Sequence, residues 1–147
     1  MALIGKTTAT LVGTASALAL AFFGAAPAAQ ASAGVQAETC PVDSGYACFW
    51  VNNYRGGTMG KVSGDNENYR NLSNSSGCTR YPGTWNDCIS SVENQGRQCT
   101  VYFWTDANYQ GRYHSLSIGD RVNDMAVGWN DASFNDAISS NHWCSPR

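Results

Sequence analysis

Two short clusters of oxygen-bearing side chains carry the clearest chemistry in this chain: Asn86-Asp87 with Ser90, and Asn135-Asp136 with Ser139. Each lies in one string, Asn-Asp-x-Ile-Ser-Ser, at Asn86–Ser91 and again at Asn135–Ser140. Amide carbonyls, a carboxylate and a hydroxyl are hard donors. Calcium takes about six to eight such oxygens in flexible geometry, so each cluster, completed by turn carbonyls, has the makings of a calcium site. Magnesium, which demands near-ideal octahedral geometry, fits less well. The same residues also serve a purely structural end, because Asn, Asp and Ser side chains satisfy turn backbone whether or not metal binds.

Other chemistry finds little material. The sequence contains no Gly-x-Ser-x-Gly, no His-Glu-x-x-His and no phosphate-cradling glycine loop. Its two histidines, His114 and His142, stand outside any motif, so no catalytic residue is assigned and a non-enzyme is expected. Charge is mild and mixed in sign, with a net value of −2 and no basic block. Nucleic acid and anionic membrane are therefore not the expected partners.

Six cysteines, Cys40, Cys48, Cys78, Cys88, Cys99 and Cys144, follow an N-terminal segment of different composition. In residues 1–33 Lys6 is the one charged side chain, Leu11 to Ala26 is almost wholly apolar, and Ala29-Gln30-Ala31 or Ala31-Ser32-Ala33 offers a cleavage point. That is the pattern of a secretory signal peptide, and export makes an even cysteine count read as three disulfides. Sequence alone allows 15 pairings of six cysteines. Locality favours Cys40–Cys48, Cys78–Cys88 and Cys99–Cys144, the last closing the longest loop. A metal role for these thiols is weak without a Cys-x-x-Cys.

The elements that must position these groups come as a duplicated unit. Phe49 to Gly56 reads aromatic, four residues, Tyr54, one residue, Gly; Trp104 to Gly111 repeats it around Tyr109. The offset is 55 residues at this end and 49 at the Asn-Asp end, which places a six-residue insertion in the first copy. Short β-branched and aromatic runs at Ala47–Val51, Thr100–Trp104 and Tyr113–Ile118 are punctuated by Gly, Asn, Asp and Ser. In the turns after the aromatics, Gly56 and Gly111 are expected to take positive φ. Two units of about 50 residues make two Greek keys, about 40–94 and 98–144, in one all-β sandwich domain over 34–147. The aromatics recurring at matched positions read as core rather than as a sugar-binding strip.

The doubled motif resembles the βγ-crystallin superfamily. The opening Cys40-Pro41-Val42-Asp43-Ser44-Gly45-Tyr46-Ala47-Cys48-Phe49, ahead of a single two-unit domain, resembles peptidase inhibitor family I36. The resemblance covers about residues 40–144. It implies a βγ-crystallin-like fold, calcium as a cofactor at the two Asn-Asp clusters, and main-chain oxygens lent to each by the other unit's turn near Asn52–Asn53 or Asp106–Asn108.

It also implies an inhibitor of an extracellular peptidase, a metallopeptidase for choice, acting by stoichiometric docking. The alternatives are a calcium-binding structural or cell-surface module and a small secreted toxin-like protein on the same scaffold. An inhibitor needs a rigid extended segment. Cys99-Thr100-Val101, at a bridged cysteine, is the favoured inhibitory contact, and Cys78-Thr79-Arg80-Tyr81-Pro82-Gly83 is the second candidate. The expected protein is thus secreted, monomeric, free of the membrane once the leader is cleaved, and partnered by a peptidase.

Overall fold

The computed structural model describes residues 38–74 and 76–147; the leader expected over 1–33 lies outside them. Seven strands form: β1 (Tyr46–Trp50), β2 (Met59–Val62), β3 (Ser91–Gln95), β4 (Val101–Asp106), β5 (Gln110–Leu116), β6 (Arg121–Val122) and β7 (Ser140–Trp143). The single α-helix among the described residues is the one-turn α1 (Met125–Gly128). It is too short to cross a membrane, as is every other described helix.

One sheet has the order β2-β1-β3-β6 and the other β5-β4-β7, all antiparallel. The two Greek keys interlock. β6 belongs to the second unit by sequence yet pairs with β3 of the first, Val92 opposite Val122. In return, Asn66 of the first unit bridges Asn141 in β7 of the second. Each unit completes the other's sheet.

Alternation along the strands decides which side chains meet between the sheets. Ala47, Phe49 and Val92 from one sheet face Val101, Phe103 and Leu116 from the other, with Trp85, Ile89, Phe134 and Ile138 filling the layer, all buried. On the outer face of β1, Trp50 is fully buried under the N-terminal arm. The arm is held by Cys40–Cys48 and by the indole N–H of Trp50, which donates to the Glu38 carbonyl at 3.0 Å.

Hydrogen bonds fix the register of the duplication, and they correct the sequence reading. Ser91 Oγ donates to the Asn52 carbonyl and accepts from the Arg55 N–H. Ser140 Oγ donates to the Asp106 carbonyl and accepts from the Tyr109 N–H. Arg55, not Tyr54, is therefore the counterpart of Tyr109, an offset of 54. Backbone angles agree: Tyr54 and Arg55 have φ of 53° and 63°, Asn108 and Tyr109 of 58° and 60°. In these two turns the left-handed glycines are Gly57 and Gly111 at 73° and 77°, while Gly56 sits at −84°. The tyrosines align in sequence but occupy adjacent steps of the same turn.

Side-chain chemistry has been exchanged at these positions. Where Tyr109 meets the His142 ring edge-on at 5.3 Å, Arg55 lies 3.6 Å from Glu93. The insertion is also relocated. Tyr69 and Met125 are counterparts, both fully buried, their N–H groups donating to Ser139 and Ser90 carbonyls. From Tyr69 to Trp85 the first unit takes seven residues more than the second takes from Met125 to Phe134, and the second has two more before its third strand.

Gly60 in β2 marks a point of no tolerance. A Cβ there would collide with the Phe49 and Trp85 rings, which meet edge-on at 4.8 Å between centroids. Gly64 has open space around it. Gly60→Ala should therefore lower stability by about 1–3 kcal/mol through overpacking, and Gly64→Ala should stay within about 0.5 kcal/mol of the parent. Thermal or denaturant unfolding of the two variants checks the pair.

Candidate functional site

The two Asn-Asp strings end up back to back on the pseudo-two-fold axis. Asp87 and Asp136 both have φ of 53°, a left-handed step that Asp tolerates because its short side chain bonds locally. Their N–H groups cross over: Asp87 donates to the Ile138 carbonyl and Asp136 to the Ile89 carbonyl, each at 3.0 Å. The side chains cross too. Ser90 Oγ lies 3.1 Å from Asp136 Oδ1 and 2.9 Å from the Val51 carbonyl, sharing its one proton between them. Ser139 Oγ donates to Asp87 Oδ1 at 3.0 Å. The clusters sorted by sequence are thus re-sorted in space: each aspartate joins the other unit's serine.

The symmetry stops at the counter-charges. Arg80 Nε lies 3.5 Å from Asp87 Oδ2. Asp136 has instead the Asn135 amide donating to Oδ2 at 2.9 Å. Burial pushes the Asp136 carboxyl above the usual carboxylate range, hydrogen bonds from Ser90 and Asn135 pull it down, and the neighbouring charge of Asp87 pushes it up again.

A cleft beside Ser90 is lined by Asn52, Asn53, Asp124, Ala126 and Asn135. Asp124 belongs to neither repeated motif of the sequence. Its Oδ1 caps α1 by accepting from the Ala126 N–H at 3.0 Å, and its Oδ2 accepts from the Asn53 amide at 3.4 Å. Its one legible signal is the helix-capping residue type, which gives no hint of a second role. Among the described residues no three His, Cys, Asp or Glu side chains converge. The oxygens gathered at Ser90, Asp136 and the Asn52–Asn53 turn are those a hard, loosely coordinated cation accepts, whereas a thiolate- or imidazole-seeking metal finds nothing here.

Three disulfides close, Cys40–Cys48, Cys78–Cys88 and Cys99–Cys144, with Cα separations of 5.7, 5.3 and 5.0 Å. The favoured inhibitory segment needs correction. Val101 is fully buried between Leu116 and Trp143 as the first residue of β4, the central strand of its sheet, so no docking partner reaches its side chain in the folded molecule. Alternation along the strand turns it inward. Thr100 and Cys99 stay half-buried at the edge. The second candidate fares differently: Thr79, Arg80, Pro82 and Gly83 are exposed on the inserted loop.

A family model described as peptidase inhibitor family I36 matches residues 34–116, from the N-terminal arm through β5. No curated protein matches the chain. Among solved structures, a βγ-crystallin domain from work on the evolution of the eye lens βγ-crystallin fold superposes with a TM-score of 0.57 at 23% identity, over 74% of this chain and 92% of that one. A βγ-crystallin from Ciona intestinalis gives 0.51 at 14% identity, over 68% and 100%. Spherulin 3a from Physarum polycephalum gives 0.50 at 24%, over 74% and 89%. These likenesses show the βγ-crystallin fold.

The raised Asp136 carboxyl has a checkable sign. A carboxyl raised above its unfolded value contributes stability only while protonated, and loses it as pH rises through the folded value. At neutral pH in chelator, Asp136→Asn should therefore raise the melting temperature, with the gap to wild type closing below about pH 4, where both side chains are neutral. A lower melting temperature for the variant at pH 7 would show that the Asp136 charge is favourable as it stands.

Proposed function

The chain belongs to peptidase inhibitor family I36, and from that premise we propose that it is a secreted protein that inhibits an extracellular peptidase, a metallopeptidase, by docking one-to-one in its cleft. The observation that carries this reading is the family match over residues 34–116, which takes in the whole first Greek key and the opening hairpin of the second. Three disulfides suit an oxidising, extracellular setting. They also lower the cost of binding, because a cross-linked surface has little freedom left to lose on association. Purified protein titrated against active-site-calibrated secreted metallo-, serine and cysteine peptidases should abolish the activity of at least one metallopeptidase at an equimolar end point. Reduction of the disulfides should remove the effect. Inactivity across the panel would refute the reading.

A second reading, as a calcium-stabilised βγ-crystallin module, is favoured by one specific feature: the crossed aspartate–serine pairs. Asp136, Ser90 and the carbonyls of the Asn52–Asn53 turn would hold the ion. Bound calcium would supply a fixed positive charge that offsets the Asp136 carboxylate. The Asp87 and Ser139 half is proposed as the weaker, since Arg80 already supplies a cation there. The two readings are compatible, because an ion that rigidifies the scaffold serves an inhibitor as well. A ligand specific for the folded state stabilises it by about 2.7 kcal/mol at a hundredfold excess over its dissociation constant. The melting temperature should rise in calcium and much less in magnesium, and Ser90→Ala with Ser139→Ala should shrink the rise. Identical melting curves in calcium and in chelator would leave the crossed pairs purely structural.

A further inference from the structure

The geometry points to the inserted loop Ser76–Thr84, with its Arg70–Tyr81–Arg80 stack, as the surface that enters the peptidase, and to a partner whose cleft is lined by carboxylates. This rests on the inhibitor reading and gives it a place on the molecule.

Several observations converge on the loop. It is the stretch the fold does not need: the second unit connects Met125 to Phe134 with seven residues fewer and reaches the same core position. An expendable loop of this size is nevertheless braced on every side. The Asn74 N–H donates to the Gly83 carbonyl at 2.9 Å, and Ser73 bridges Thr84 across the loop's neck. The Tyr81 carbonyl accepts from both the N–H and the hydroxyl of Thr84, at 3.1 and 3.0 Å. Cys78–Cys88 ties one limb to the Asp87 turn, and Arg80 ties it again through Asp87. The Arg70 guanidinium lies 4.0 Å from the Tyr81 ring centre, and that of Arg80 lies at 5.8 Å. Such stacking is worth about 0.5–1 kcal/mol at an exposed site.

What this bracing presents is Thr79-Arg80-Tyr81-Pro82-Gly83, with Thr79, Arg80, Pro82 and Gly83 exposed. Preorganisation of this kind lowers the entropy lost on docking. Tyrosine and arginine are also the side chains that dominate binding energy at protein interfaces. The chain as a whole carries net −2, yet residues 76–84 contain no acid, and the guanidiniums of Arg70 and Arg80 both lie within reach of their one aromatic, with Asp87 partnering only Arg80. Charge complementarity therefore calls for an acidic cleft, and association should be steered by it.

The test starts from whichever peptidase wild type inhibits. Arg70→Gln with Arg80→Gln should weaken inhibition at least tenfold, mostly through a slower and less salt-dependent association. Thr100→Gln, at the Cys99–Cys144 edge, should leave the inhibition constant within twofold. Equal inhibition by the double variant, or a large loss from Thr100→Gln, would overturn the proposal while leaving the inhibitor reading intact. Amide exchange on the wild-type complex needs no variant to fold. Protection on adding peptidase should concentrate in Ser76–Thr84, and protection confined to Cys99–Tyr102 would place the contact elsewhere. If wild type inhibits no peptidase, the reading and this proposal fall together.

Discussion

Neither half of this molecule can close its own backbone, and the rest of the structure follows from that. The third strand of each Greek key hydrogen-bonds to the other key's sheet, through β6 on one side and Asn66 on the other. The aspartate turns repeat the exchange on a smaller scale, with Asp87 and Asp136 each donating a backbone N–H to the opposite unit. Buried N–H and C=O groups left without partners are expensive. The two keys therefore stand or fall as one cooperative body, and the apolar layer between them is trapped by polar crossings at both ends.

Much of this was legible. The recurrence of Asn-Asp-x-Ile-Ser-Ser announces the duplication, and the short β-branched and aromatic runs at Ala47–Val51, Thr100–Trp104 and Tyr113–Ile118 announce the sheets. The letters alone put the register one residue out, since Tyr54 and Tyr109 are identical but occupy adjacent steps of one turn; only the bonds to Ser91 and Ser140 reveal that Arg55 is the true counterpart. Val101 follows a bridged cysteine by two positions and so belongs to a braced segment, but strand alternation turns its side chain inward. Arg80 and Asp124 give no sign in the sequence of the partners they find. Arg80 folds back on Asp87 seven residues on, within the Cys78–Cys88 loop, and Asp124 meets Asn53 of the other unit.

Symmetry separates scaffold from specialisation. Positions that hold the fold are matched between the units: Trp50 with Trp104, Phe49 with Phe103, Ile89 with Ile138. Departures cluster at the rim. There an aromatic contact is replaced by an ion pair at Arg55 and Glu93, and a seven-residue excursion puts a guanidinium beside one aspartate but not the other. A duplicated scaffold frees one copy to diverge, since the fold asks the same of both and function asks it of neither.

The crossing of strands and turns has a further implication. Asp87 meets Ser139 while Asp136 meets Ser90, so residue i touches j and i's equivalent touches j's equivalent. That is the rule of an isologous interface between two identical subunits. A lone 50-residue unit of this type would expose an unpaired edge and half of an aspartate turn, and a second copy of itself would satisfy both. The chain is in effect a homodimer with exchanged strands whose subunits have been joined end to end. The linker Gly96–Thr100 turns assembly into an intramolecular event at a fixed, high effective concentration, so integrity of the fold does not depend on how dilute the protein becomes.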